Sequence, residues 1–217
     1  MTISLKGPSV IPNKTKVKNI VLFLHGYGAN GNDLISLSSF WEDIAPNTAF
    51  YSPNAPFKCD FGSDSFQWFE LIDRDEKEMV GGLKKSGPIL NNYLDEILTQ
   101  HDLSVQDLVV VGFSQGTIMA LYHMCKKESA CAGIIGYSGM LFDDKNYKSS
   151  ILSKFPILLY HGKNDNVIRF ESSLSAETKL SQYGFEVKCI IQDNLDHGID
   201  ENGLIEGGNF LKQILVI

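Results

Sequence analysis

The chain has no CxxC pair, no HExxH or similar histidine cluster, no internal repeat and no low-complexity stretch. Its four cysteines, Cys59, Cys125, Cys131 and Cys189, are scattered. Cys125 and Cys189 sit inside apolar segments, the pattern of reduced core residues in a reducing compartment rather than of a disulfide framework. The five histidines are dispersed, so no metal site is expected. No apolar run is long enough to span a bilayer. "MTISLKGPSVIPNK" lacks the apolar stretch and cleavage site of a signal peptide, so the expected location is cytoplasmic. Positive charge is also in short supply. The 19 Lys and Arg face 26 Asp and Glu, for a net charge of −7. Nucleic acid and anionic membranes would repel such a surface, and the KxKxK run from Lys14 to Lys18 reads as a solvated loop.

What is present is an alternation of short β-rich runs with helical ones. "NIVLFLHG", "TAFYSPNA", strand 107–113, "AGIIGYSG", "PILLYHG" and "FEVKCII" read as strands. Helices are expected from Asn32 across "NDLISLSSFWEDIA", around Leu90 to Leu98, from Gln115, across 171–183 and at the C-terminus. Leu90, Tyr93, Leu94, Ile97 and Leu98 follow the i, i+3, i+4, i+7, i+8 spacing of an amphipathic helix. Continuous apolar strands separated by helices predict an α/β fold with a mostly parallel sheet covered on both faces. The 217 residues fit one domain, 1–217. One segment, 57–82, is rich in aromatics, Gly and Asp and reads as an excursion from this rhythm. Ligands in open α/β sheets bind beyond the strand C-termini, where Ser114, His25, Gly26, Asp165 and the residues after Cys189 should gather.

Gly112-Phe113-Ser114-Gln115-Gly116 matches G-x-S-x-G, with a strand before it and a helix after it. In a nucleophile elbow the serine takes a strained backbone on a tight turn, and its hydroxyl rises above the sheet at a helix N-terminus. The plainer alternative is a Gly/Ser turn with Ser114 as N-cap. A serine nucleophile needs a base, and the base an orienting acid, in the chain order Ser, acid, His. His197, in the polar loop "DNLDHGIDENG" after a strand, is the candidate base. His161 in "LLYHGKND" reads as a structural residue near a strand end, and His123 as a packed or surface residue. Asp165, in "HGKNDNV", is favoured as the acid over Asp193 and Asp196, which share the histidine's loop. Two backbone donors, the N–H groups of Gln115 and of Tyr27 in "LFLHGYGANGNDL", are candidates for the oxyanion hole. That glycine-rich loop has neither GxGxxG nor a GK[ST] ending, which discounts phosphate binding. Trp68 and Leu141 are the candidate acyl contacts, with packed core as the alternative for Trp68.

The stretches "FLHGYGANGNDL", "YSPNAPF", "QWFEL", "VVVGFSQGTIMAL", "GYSG", "PILLYHGKNDNVI" and "DHGIDENGL" together resemble the phospholipase/carboxylesterase family of α/β-hydrolases, in the family's order and over nearly the full length. The resemblance implies an α/β-hydrolase fold without a large cap domain and a triad of Ser114, Asp165 and His197. It also implies a cofactor-free serine hydrolase of small-molecule carboxylic esters or thioesters; a homodimer is compatible with it. An acyltransferase or a catalytically silent binding protein on the same fold are the competing functions. Two departures stand out. Asp196 replaces the glycine usual before the catalytic histidine, and Asn166 and Arg169 replace prolines common in the acid's loop.

Overall fold

The computed structural model describes residues 4–72 and 75–215. Nine strands are found among the described residues: β1 Ser9–Val10, β2 Asn19–Leu24, β3 Thr48–Tyr51, β4 Phe57–Lys58, β5 Phe66–Gln67, β6 Leu108–Phe113, β7 Gly133–Tyr137, β8 Ile157–Gly162 and β9 Val187–Gln192. Seven form one sheet in the order β1-β3-β2-β6-β7-β8-β9. Within this sheet only the β1–β3 pair is antiparallel. The α-helices are α1 Gly31–Ile35, α2 Glu76–His101, α3 Gln115–His123, α4 Glu171–Gln182 and α5 Glu201–Ile214. This is the α/β class the strand–helix alternation predicts, with no large cap among the described residues.

The period-two geometry of a strand divides its apolar residues between two cores. Ile20, Leu22, Val110 and Leu159 point to one face, with Leu83, Leu90 and Leu94 of α2, Met119 of α3 and Leu180 of α4. Val21, Phe23, Val111 and Tyr160 point to the other, with Leu34 of α1 and Leu204 and Leu211 of α5. The run "LVVV" that opens β6 has no polar alternation because both of its faces are covered.

Three expectations need correction. The helix expected from Asn32 is a five-residue α-helix continued by a 3-10 turn, Ser36–Phe40. The 57–82 excursion is only partly irregular: β4 and β5 pair as a small antiparallel hairpin, and α2 begins inside the segment at Glu76. Its start was hidden by Gly81, Gly82 and Pro88, yet Asp75 caps it by accepting the Glu78 N–H at 2.7 Å. The strand expected over 185–191 lies at the sheet edge as Val187–Gln192 and is half-buried. The antiparallel β1 had no pattern of its own.

Helix α3 is buried from Gln115 through Tyr122, sandwiched between the sheet and α2. At its end His123 meets Gly87 of α2: a Cβ there would stand 2.4 Å from the imidazole Cε1. Burial, reinforced by the Lys126 charge, pushes the His123 pKa down to about 3. The unfolded chain takes up this proton near the ordinary value of 6.5, while the folded chain resists it. Stability from this group is therefore complete above pH 6.5 and is lost as pH falls toward about 3, with a slope of up to about 1.4 kcal/mol per pH unit. Urea melts across this range should show a shallower acid loss for His123→Leu than for wild type; parallel curves would contradict the assignment.

Candidate active site

Ser114 is the single residue between β6 and α3. Its backbone lies at φ 54°, ψ −113°, a conformation that costs a non-glycine residue about 1–3 kcal/mol. The turn is held by the Ser114 N–H donating to Tyr137 O at 2.9 Å, and by the Ser114 carbonyl accepting from the Thr117 N–H at 3.0 Å. Both flanking glycines are steric necessities. A Cβ on Gly116 would stand 1.8 Å from Leu24 O, and one on Gly112 would stand 2.4 Å from Thr117 N. The Ser114 side chain makes no capping hydrogen bond, which removes the N-cap alternative.

The loop after β2 runs beside this turn, because β2 and β6 pair in parallel with Leu24 opposite Gly112. The position of a Cβ on Gly26 would be 3.4 Å from the Ser114 Cβ. The loop is pinned from beneath. His25 is fully buried; its Nδ1 faces Gly26 O at 2.7 Å and its Nε2 accepts from the Ala55 N–H at 2.9 Å. Nδ1 therefore carries the hydrogen, and burial keeps the His25 pKa below its ordinary value. Tyr27 follows, partly exposed, with its ring edge-on to Phe61 at 5.6 Å. Gln115 opens α3, where first-turn N–H groups find no acceptor inside the helix.

The candidate acid and base arrive from separate loops. Asp165 follows β8, and His197 lies between β9 and α5. The Asp165 side chain is fully buried. Its Oδ1 accepts from the Val167 and Ile168 N–H groups at 2.8 and 2.9 Å. Its Oδ2 lies 2.6 Å from His197 Nδ1. Burial pushes the Asp165 pKa up, but the hydrogen bonds from His197, Ile168 and Val167, with the His197 charge, outweigh it and hold the carboxyl below its ordinary range. The His197 ring packs on Phe113 with centroids 4.9 Å apart. The two loops are tied by the Asn164 N–H to Leu195 O at 2.9 Å. The two aspartates of the histidine's own loop are both exposed. Asp193 pairs with Lys163 at 2.7 Å in solvent, and Asp196 is exposed.

Other expectations are placed as follows. Trp68 is wholly buried, its indole N–H donating to His25 O at 3.0 Å, so it is scaffold beneath the cleft rather than part of its surface. Leu141 borders a cavity of about 300 Å³ with Met140, Ala176 and Arg169. Arg169 itself is exposed and paired with Glu171 at 2.8 Å. Two features escaped the sequence reading. The Gln115 side chain accepts from the Trp68 N–H at 2.8 Å and donates to Phe69 O at 2.7 Å. His161, read as structural, contacts Asp165 Oδ2 at 3.0 Å. Its spacing of four residues from Asp165 was the only available signal.

The parallel sheet, the strained serine turn and the acid–histidine pair beyond the strand ends define an α/β-hydrolase. The chain belongs to the phospholipase/carboxylesterase family, whose model matches residues 5–215, and it is a carboxylesterase-type hydrolase. It is similar to the solved structure of esterase PE8, with 34% identity, TM-score 0.93, and 98% of this chain and 100% of that one covered. Acyl-protein thioesterase 1 of Candida albicans is 24% identical, covering 98% of this chain and 99% of its own length. A probable carboxylesterase of Oryza sativa subsp. japonica is 27% identical over 91% of this chain and 78% of that protein.

The contact between Gly116 and Leu24 can be tested directly. Gly116→Ala should lower unfolding stability by about 1–3 kcal/mol, because strand and helix must separate to admit the methyl group. A denaturant midpoint equal to wild type would show that the approach is looser than described.

Proposed function

We propose that the protein hydrolyses carboxylic esters or thioesters through an acyl-enzyme on Ser114, with His197 as general base and acid and Asp165 as its orienting partner. The observation that carries this reading is the 2.6 Å contact between Asp165 Oδ2 and His197 Nδ1. A carboxylate at Nδ1 fixes the hydrogen there and leaves Nε2 as the basic nitrogen. In the first half-reaction His197 Nε2 takes the Ser114 proton as Oγ attacks the acyl carbon. The negative charge that builds on the carbonyl oxygen is received by the N–H groups of Gln115 and Tyr27, each typically worth about 3–4 kcal/mol of barrier. The proton then passes from Nε2 to the leaving alcohol or thiol. Water attacks the acyl-enzyme with the same base, and the carboxylic acid leaves.

The preferred substrates in this reading are small-molecule esters with short or medium apolar acyl groups. Leu141 and Met140 give the apolar part of a hollow that Arg169, Glu171 and Lys179 also line. Beside Gly26 and Phe113 lies a depression of about 260 Å³ lined by Ala29, Leu34, Leu37 and Ile199. A panel of acyl esters and thioesters of graded length tests this; equal rates for charged acyl groups would count against it. The chain works as one α/β domain in the cytoplasm, free or as a homodimer, without nucleic acid or an inserted membrane segment. Among the described residues no helix is long and apolar enough to cross a membrane.

Ser114→Ala should abolish both hydrolysis and labelling by a fluorophosphonate probe while circular dichroism stays that of wild type; retained turnover would sink the assignment. A second comparison separates the aspartates. Asp165→Asn should reduce kcat/KM by something like 10⁴-fold through the wrong imidazole tautomer, whereas Asp196→Gly should stay within roughly tenfold. The reverse order would move the acid into the histidine's own loop.

A further inference from the structure

Asp165 Oδ2 is shared. On one side it meets His197 Nδ1; on the other it meets Nε2 of the fully buried His161. His161 Nε2 also faces Ile168 O at 2.8 Å. Both of these neighbours are acceptors at the pH where a carboxylate is ionised, so Nε2 must carry a hydrogen. The opposite nitrogen, Nδ1, meets the Ser173 hydroxyl at 2.7 Å. With the ring hydrogen on Nε2, Nδ1 accepts the single hydrogen of that hydroxyl, so α4 fixes the ring from behind. Every polar edge of His161 is thereby engaged. The ionisable groups around this pair are Asp165 itself, His197 across from it, and Glu171 at the start of α4, which is paired to Arg169.

We infer that His161 is a positioning residue for the reaction: its Nε2–H holds the Asp165 carboxylate from the side opposite His197 and takes a share of its charge. The inference rests on the Ser114–His197–Asp165 reading given above. A buried carboxylate with one donor on Oδ2 would turn more freely, and its charge would be balanced across the cleft by His197 alone. That arrangement favours the imidazolium over the free base. With His161 in place, Oδ2 is fixed by two donors and Oδ1 by two backbone N–H groups, so the direction of the His197 contact is set before substrate arrives.

The test uses two polar replacements of similar size. The amide nitrogen of His161→Gln reaches the place of Nε2 and keeps the donor to Asp165. That of His161→Asn reaches only the place of Nδ1 and loses it. His161→Asn should lower the plateau of kcat/KM roughly tenfold and move its acidic limb to higher pH. His161→Gln should keep the limb in place and stay within about threefold of wild type. Two wild-type profiles would overturn the inference. So would equal losses in both variants with an unmoved limb, since that is what a packing role alone produces. If His161→Asn does not fold by circular dichroism, nitrogen-15 imidazole spectra of the wild-type protein decide. A hydrogen on His161 Nε2 at the pH of activity is expected, and its absence would end the proposal. Ser114→Ala is measured alongside. If it still hydrolyses esters, the triad reading fails; if it is inactive while the His161 variants behave as wild type, only the positioning role fails.

Discussion

The cleft depends on how closely α3 is pressed onto β2. The Gly116 Cα lies so near the Leu24 carbonyl that no side chain fits between them. To bring a helix that close, the chain must turn from β6 into α3 within one residue, and Ser114 takes the positive φ that this requires. The strain is stable because it is over-determined: Tyr137 O fixes the amide, the helix fixes the carbonyl, and Gly112 yields to Thr117. The same approach brings Gly26 against Ser114 and the first N–H groups of α3 to the same end of the sheet. The serine, the glycine loop beside it and the head of α3 are thus brought together by a single packing distance.

Around this rigid turn the charges are arranged by loops that brace each other. A buried carboxylate is costly unless its lone pairs are met, and Asp165 receives backbone donors on Oδ1 and imidazole contacts on Oδ2. The histidine loop is fixed to its neighbours by backbone atoms. Gly162, at the end of β8, has the carbonyls of Leu195 and Asp196 where a Cβ would be, and the Ser138 hydroxyl donates to Gly198 O at 3.3 Å. These contacts set where His197 stands without using its ring nitrogens, and Nδ1 is left to meet Asp165.

Much of this was legible in the sequence because it follows short-range rules. Runs such as "LVVVGF" announce buried parallel strands, and the two glycines around Ser114 announce a turn too tight for side chains. The preference for Asp165 over Asp193 and Asp196 came from topology: residues on separate strand ends converge, and the structure pairs Asp165 with His197 while Asp193 turns to Lys163. What failed was of a different kind. The first turns of α2 were masked by Gly81, Gly82 and Pro88, whose low helix propensity is overridden by burial of Met79 and Leu83. Trp68 is a candidate acyl contact because the 57–82 segment is expected to flank the cleft, with packed core as the alternative; it is buried, held by His25 and Ser86, both distant in sequence. His161 carried no pattern that separates a packed histidine from one bonded to the acid.

Gln115 joins these two levels. Its backbone N–H stands at the head of α3 beside Ser114, while its side-chain amide grips the Trp68 N–H and the Phe69 carbonyl. The Trp68 indole in turn holds His25 O, just before Gly26 and Tyr27. One closed circuit therefore runs from the start of α3, through the segment after the β4–β5 hairpin, to the loop after β2, and back to Ser114. Both proposed oxyanion donors lie on it. The amide is buried and both of its polar atoms are paired, so the circuit has little freedom to relax at one point without loss at another. Through Trp68 and Phe69 the irregular segment after β3 thus ties the head of α3 to the loop after β2.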